Sequence, residues 1–350
     1  MATSPAFETR VRVAVLGATG YTGVELLRLL ARHPAVELAF LSSEQYRDKR
    51  AADVYPFLAG AVDATLRAPV AADVANAAEV VFTALPHGTA APVVQELLRR
   101  GLRVIDLSAD FRFRDAAVYE WWYTRHPAAE LLATAVYGLP EIYRERLREA
   151  RLVAVPGCYP TGALLGLVPL ARAGLVRDPV VIDAKSGTTG AGRSAKVDQL
   201  FAEVNENFRP YAIGEHRHGP EIEQELRAAG ASAGAVFVPH LLPVNRGIVT
   251  TMYIRISGDV PPLAELYDEA YATEPFVILR GEGAPPELRE VRGTNRCVIG
   301  WRWDAASRHA IVVTAIDNLG KGASGSAVQC FNVMLRLPET TALDAVAVVP

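Results

Sequence analysis

The chain is predicted to fold as an α/β, Rossmann-like domain joined to an α+β domain with a mainly antiparallel sheet. Three observations lead there. The first half alternates strand-like and helix-like runs, with a cluster of glycines directly after the first strand. The second half is dominated by strand-like runs with few crossover helices, the pattern of antiparallel pairing. A chain of 350 residues, half of them apolar, also exceeds what one ordinary core organises, so two domains are expected. The expected division is residues 1–157 with 318–350 for the first domain and 158–317 for the second.

Residues 11–16 are β-rich and run straight into Gly17-Ala18-Thr19-Gly20-Tyr21-Thr22-Gly23. Residues 24–32 then carry Leu26, Leu27, Leu29 and Leu30 at helical spacing before His33-Pro34 stops the helix. Residues 36–41 read as a second strand, which completes a βαβ unit. Its glycines are spaced G-x-x-G-x-x-G, not G-x-G-x-x-G. Glycine still allows a tight turn and close approach to a pyrophosphate resting on the helix N-terminus. A purely structural turn is the alternative. After the second strand an NAD site would carry an acidic residue for the ribose hydroxyls. Ser42 and Ser43 stand there instead, with Arg47, Lys49 and Arg50 behind them, a set that suits a 2′-phosphate and points to NADP. Glu44 is the contrary residue.

A strand over 79–85 then ends in Leu85-Pro86-His87-Gly88 and leads to a helix over 90–100. Another over 102–107 ends in Ser108-Ala109-Asp110-Phe111-Arg112. Ligands of doubly wound sheets bind at the carboxyl ends of strands, so both loops are expected at the cofactor. His87 shapes a turn or, less readily, acts as a base; Arg112 pairs with a phosphate or with Asp110.

Cys158 sits in Pro156-Gly157-Cys158-Tyr159-Pro160-Thr161-Gly162, between a strand pattern over 152–155 and a helical run over 163–173. A thiol there meets exposed backbone N–H groups and the positive end of the helix dipole, which should lower its pKa from about 8.5 toward neutrality. That prepares a nucleophile; a small buried hydrophobe is the plain alternative. Cys297 and Cys330 fall within strand and helix patterns and read as packing. Three widely spaced cysteines suit a reducing cytoplasm better than a disulfide framework.

Strand patterns cover 180–184, 235–238, 249–256, 297–303 and 310–316. Lys185-Ser186-Gly187 opens a glycine-rich loop, through Arg193, that could approach a planar ring or an anion. His216 and His218 are spaced to place both rings on one face of an extended segment. Metal ligation is one reading, but no further ligands at suitable spacing follow, so no metal is expected. Acid–base work beside a thiolate is the other. Glu221 opens a helix over 221–229 and orients a histidine or favours the dipole. Asp317 to Ala327, with Asn318 and Gly322, is a late glycine-rich helix start that suggests a return to the first domain and closure of the cofactor site. The aromatic group Tyr119, Trp121, Trp122 and Tyr123 reads as core, with an interface as the alternative.

A net charge of −3 with interspersed signs offers no basic stripe for nucleic acid and no charged tail for a membrane surface. The N-terminal residues lack the features of a signal peptide. No apolar run reaches the length of a membrane span.

Taken together these segments resemble the N-acetyl-gamma-glutamyl-phosphate reductases, the arginine-biosynthesis members of the aspartate-semialdehyde dehydrogenase superfamily. The resemblance rests on the Gly17–Gly23 turn, Ala84-Leu85-Pro86-His87-Gly88, Asp106-Leu107-Ser108-Ala109-Asp110-Phe111-Arg112 and the Cys158 motif. It continues through Lys185-Ser186-Gly187, Val204-Asn205-Glu206-Asn207, the His216–His218 pair, Arg292-Gly293-Thr294-Asn295 and Ala315-Ile316-Asp317-Asn318-Leu319. It implies an NADPH-dependent reductase of a small acyl phosphate, with a catalytic and dimerisation domain after residue 157 and a homotetrameric assembly. Cys158 is then the nucleophile and His218 the acid–base group ahead of His216. Ser186 and Gly187 lie at the nicotinamide; Ser108, Arg112, Lys185 and Arg193 are candidates for the substrate's anions. Tyr159-Pro160-Thr161 after the nucleophile matches the arginine enzymes. A sister family, which reduces a carrier-protein-linked aminoadipyl phosphate in lysine biosynthesis, carries Asn-Ala-Thr there and is the alternative. Thr188-Thr189 and Glu215 depart from the family's usual residues.

Overall fold

A computed structural model describes residues 10–348; the signal-peptide reading falls largely on residues 1–9, outside the described residues. The described chain forms two compact units, residues 10–156 with Ala323–Asp344, and residues 157–322 with 345–348. The chain leaves the second unit after Gly322 rather than after residue 317, because Asp317 and Asn318 are hydrogen-bonded inside that unit. No helix among the described residues is long and apolar enough to cross a membrane.

The first unit is built on seven parallel strands: β1 (Val11–Leu16), β2 (Val36–Ser42), β3 (Leu66–Arg67), β4 (Val80–Thr83), β5 (Arg103–Asp106), β6 (Val136–Tyr137) and β7 (Leu152–Ala154). Their order, β3-β2-β1-β4-β5-β7-β6, reverses direction at β1, the switch point where doubly wound sheets open a crevice. Continuous apolar strands such as β4, Val-Val-Phe-Thr and wholly buried, belong to a sheet covered on both faces. The helix Gly325–Met334 is buried at all ten positions and returns to this unit, with the Cys330 thiol against Gly138 O at 3.3 Å. Tyr119 is core and stacks on Tyr123 at 4.9 Å. Trp121 is not: it is 84% exposed, on the outer face of the short helix Ala116–Trp122. The aromatic group is therefore split between core and surface.

The second unit carries β8 (Val180–Gly187), β9 (Arg209–Pro210), β10 (Ala235–Leu242), β11 (Ile248–Arg255), β12 (Val277–Glu282), β13 (Cys297–Asp304) and β14 (His309–Ile316). Their order is β12-β13-β14-β11-β8-β10-β9. Four of the six pairings are antiparallel; β12 with β13 and β8 with β10 are parallel. The sheet is thus mixed, with an antiparallel centre, as predicted. Two-residue strands such as β6 and β9 escape a periodicity search because two residues display no period.

The helix Cys158–Arg172 is buried at every position from Tyr159 to Ala171. Such an all-round apolar helix needs partners on all sides. Gly166 lets it settle on the sheet: an added Cβ would stand 2.5 Å from Met252 Cε. Its other sides meet the helices His218–Ala228 and Leu263–Tyr271. Pro169 cannot donate to the carbonyl of Leu165, and Tyr271 Oη supplies the missing donor at 2.7 Å. Each buried leucine of this helix contributes about 1.5–3 kcal/mol of apolar burial, which anchors Cys158 to a rigid element.

Candidate active site

The Gly17–Gly23 turn is as tight as predicted. Gly17 has φ +81°, and a Cβ there would lie 2.3 Å from Ala84 O. At Gly23 a Cβ would lie 2.1 Å from Gly17 O, so no other residue fits. Gly20 faces open space, with Gly17 O at 3.8 Å as the sole neighbour of an added Cβ. The helix Tyr21–Leu30 begins there with no side-chain cap and no acidic residue in its first turn. Backbone N–H groups and dipole are thus available to an anion, and a dinucleotide pyrophosphate fits the residues present. Ser42 and Ser43 serve the turn itself. Gly17 N–H donates to Ser42 Oγ at 3.2 Å, and Ser43 Oγ lies 2.8 Å from Thr19 Oγ1. Thr22 offers its carbonyl to Ser324 Oγ at 2.9 Å. Arg47 is exposed and ion-paired with Glu44 at 3.0 Å.

Behind β4 and β5 a buried polar network shapes the next two loops. Asp110 accepts from the N–H groups of Gly88 and Ala91 and from Tyr119 Oη. His87 Nδ1 accepts from Ala109 N–H at 2.9 Å, so the histidine braces a turn beside exposed Pro86 and half-buried Leu85. Ser108 Oγ and Thr83 Oγ1 both donate to Asp106 at 2.6 Å. Burial pushes the Asp106 carboxyl up to about 6 against those two hydrogen bonds. Arg112, expected at a substrate anion, is buried and donates from Nε to Val155 O at 2.7 Å and from Nη2 to Leu107 O at 2.9 Å. Its guanidinium ties the ends of β5 and β7 together, which sequence spacing does not reveal.

Cys158 is half-buried and is itself the first helical residue, after Gly157 at the N-cap with extended backbone. Three groups surround that turn. Glu221, fully buried, accepts from Gly157 N–H at 2.8 Å. The imidazole of His218 lies over Gly157, where an added Cβ would stand 2.4 Å from Nε2. On the other side Gly322 backs the thiol: a Cβ there would stand 2.9 Å from Cys158 Cβ. Gly157 and Gly322 are therefore small because the His218 ring and the Cys158 side chain occupy the space a side chain would take.

The histidine pair does not lie in extended backbone. Arg217 between them is αR, and His218, not Glu221, opens the helix His218–Ala228. The rings accordingly have different surroundings. His216 Nδ1 accepts from His218 N–H at 3.1 Å, and its ring is enclosed by Tyr159, Tyr211 and Phe237. Burial, with the Arg217 charge second, pulls its pKa down to about 4, so it is neutral at neutral pH. Glu221 holds the turn before Cys158 and enters the helix a turn after His218. The hydroxyls of Tyr159 and Tyr211 meet at 2.9 Å; in the sequence Tyr159 stands out only as part of the motif after Cys158, and Tyr211 not at all.

Strand alternation separates Lys185 from this constellation. Val180, Ile182, Ala184 and Ser186 of β8 are buried, whereas Lys185 points to the opposite face with Asp183. There Lys185 Nζ meets the Asp183 carboxylate at 2.9 Å, with His240 on the other carboxylate oxygen at 3.1 Å. Arg193 lies on an exposed loop. Gly187 passes tightly under Asn245, where a Cβ would stand 2.8 Å from its carbonyl oxygen. Asn318 accepts from Gly247 N–H at 2.8 Å and donates to Thr189 Oγ1 at 2.9 Å, locking that loop. Asp317, fully buried, pairs with Arg246 at 3.0 Å and accepts from the N–H groups of Gly293, Leu319 and Gly320. Asp317 and Arg246 thus hold the loop that carries Gly322, a role no local signal announced.

Residues 12–150 match the family described as semialdehyde dehydrogenase, NAD binding domain. Residues 158–318 match semialdehyde dehydrogenase, dimerisation domain. Over 97% of this chain, N-acetyl-gamma-glutamyl-phosphate reductases of Heliobacterium modesticaldum and Moorella thermoacetica are each 50% identical and matched along their whole lengths. That of Desulforudis audaxviator is 51% identical over 95% of this chain and 98% of its own. Among solved structures, aspartate semialdehyde dehydrogenase II of Vibrio cholerae superposes with a TM-score of 0.74 at 18% identity, covering 94% of this chain and 99% of that one. The Candida albicans aspartate semialdehyde dehydrogenase with NADP gives 0.70 at 16%, covering 93% and 99%. At such identities the structures attest the fold, and the reductases attest the family. The chain belongs to the semialdehyde dehydrogenase family, among the N-acetyl-gamma-glutamyl-phosphate reductases.

Proposed function

We propose that this chain reduces N-acetyl-gamma-glutamyl phosphate to N-acetylglutamate 5-semialdehyde with release of phosphate, in arginine biosynthesis, through a thioester on Cys158. The observation that carries it is a thiol opening a buried helix, with the His218 imidazole lying over the residue before it. The relatives' shared name favours this substrate over the carrier-protein-linked alternative.

The Cys158 sulfur attacks the acyl carbon, and the carbon–oxygen bond to phosphate breaks. The Gly17–Gly23 turn would hold the pyrophosphate of a nicotinamide cofactor, which when bound would supply the hydride that reduction of the thioester requires. NADP is favoured over NAD because β2 ends in Ser42 and Ser43 with Arg47, Lys49 and Arg50 behind them, and Glu44, the acidic residue nearest the strand end, is already paired with Arg47. His218 gives a proton to the substrate oxygen as charge builds there and recovers it as the thiohemiacetal expels the thiolate and frees the aldehyde. His216, neutral and enclosed, holds the His218 backbone by accepting its N–H. Glu221 holds the Gly157 N–H and so the orientation of the thiol.

Thiolate chemistry suits a reducing compartment, the cytoplasm. The open face of the second sheet leaves Val181, Val236 and Tyr253 partly exposed, which favours a homo-oligomer, a tetramer by family resemblance. The test is a reverse assay with the semialdehyde, phosphate and NADP. NADPH should form in the wild type, and Cys158→Ala should show neither turnover nor an acyl-enzyme burst. A Cys158→Ala enzyme with near-normal turnover rules out the covalent route.

A further inference from the structure

The second unit holds a cleft of about 800 Å³, within the size range of small-molecule sites. Its lining has two characters. Arg246 and Arg292 are among its lining residues, and Phe201, Val204 and Leu288 add apolar ones. A third guanidinium, Arg289, pairs with Glu287 at an exposed part of the lining.

The cleft is tied to the nucleophile through the backbone. Thr188, in its lining, follows Gly187, which packs on Asn245 and Arg246. Arg246 grips Asp317 at 3.0 Å, Asp317 O receives Gly322 N–H at 2.9 Å, and Gly322 lies against Cys158 Cβ. Arg246 is thereby fixed by a buried carboxylate while its side chain remains one-quarter exposed. A pre-oriented guanidinium loses little entropy on taking a further anion.

The substrate proposed above presents two features beyond its reacting carbon: an α-carboxylate and an acetamido group with an apolar methyl. We propose that this cleft receives that far end, the α-carboxylate held between Arg246 and Arg292 and the acetyl methyl against Phe201 and Leu288. The inference rests on the acyl-phosphate reading and assigns the residues that distinguish an N-acylamino-acid substrate from a plain acyl phosphate.

The test uses the full enzyme in the reverse direction with two aldehydes, N-acetylglutamate semialdehyde and 4-acetamidobutanal, which lacks the carboxylate. Arg292→Gln should lower kcat/KM for the first by about 10–100-fold, chiefly through KM, the loss expected of one charge-assisted hydrogen bond. With 4-acetamidobutanal the variant should match the wild type, which also shows that it is folded. Arg246→Lys, which keeps a charge beside Asp317, should move selectivity in the same direction. Equal losses on both aldehydes, or no loss on either, overturn the inference while leaving the reductase reading in place. A wild type inert toward N-acetylglutamate semialdehyde overturns that reading and the inference with it.

Discussion

Acid should loosen the second unit through His216. Its ring packs edge-on against Tyr159, Tyr211 and Phe237, and its Nδ1 already accepts the His218 N–H, so the neutral ring is the form that fits. Burial first, and the Arg217 charge second, lower its pKa from 6.5 to about 4. In the unfolded chain the group regains its ordinary value. Between those two values the unfolded state binds the extra proton, so stability rises with pH there. The contribution is complete above pH 6.5 and is lost as pH falls to about 4. A gap of roughly 2.5 pH units at about 1.36 kcal/mol each amounts to about 3 kcal/mol. His216→Asn keeps an acceptor for the His218 N–H but cannot titrate. Urea unfolding of both proteins, followed by tryptophan fluorescence from pH 7.5 to 4.5, isolates the group because other titrations cancel in the difference. At neutral pH the variant should be weaker by about 1–3 kcal/mol from the lost ring. The wild type's lead should shrink by about 2–3 kcal/mol toward pH 4.5. A lead that stays constant over that range refutes the neutral, enclosed histidine.

His218→Asn should lower kcat/KM by about 10²–10⁴-fold, the usual worth of a general acid–base group, and His216→Asn by far less; steady-state kinetics of the two variants decide, and the opposite ranking would transfer the role to His216. Gly322→Ala would bring a methyl to 2.9 Å from Cys158 Cβ and 3.2 Å from Asp317 O. The thiol must shift by several tenths of an ångström, and kcat should fall about 10–100-fold with the protein still folded by circular dichroism; unchanged kcat would show that this backbone does not position the sulfur. Asp106, raised to about 6 by burial, binds its proton more readily folded than unfolded, so its contribution is complete below pH 3.8 and lost as pH rises through 6. Asp106→Asn should therefore gain on the wild type by about 3 kcal/mol between pH 4 and 7 in urea unfolding; a difference independent of pH would contradict a buried charge there.

Local spacing in the sequence was enough to identify the first βαβ unit, the glycine turn, the antiparallel character of the second sheet, and Cys158 at a strand-to-helix junction. Those features are written in neighbours: period 2 or 3.6, a stop at His33-Pro34, glycines where no Cβ fits. The partners of polar side chains were decided by tertiary structure. Arg112 and Lys185 looked like anion ligands by type, yet one turns inward onto backbone carbonyls and the other faces away from the helix that bears the thiol. His216 and His218 are two residues apart, and one helix start between them makes one a neutral prop and leaves the other over Gly157. Glu221 meets the Gly157 N–H across 64 positions of chain, and Arg246 meets Asp317 across 71. A hydrogen bond is made wherever the fold brings donor to acceptor, and a side chain's charge alone does not say which carbonyl, carboxylate or ligand will be within 3 Å.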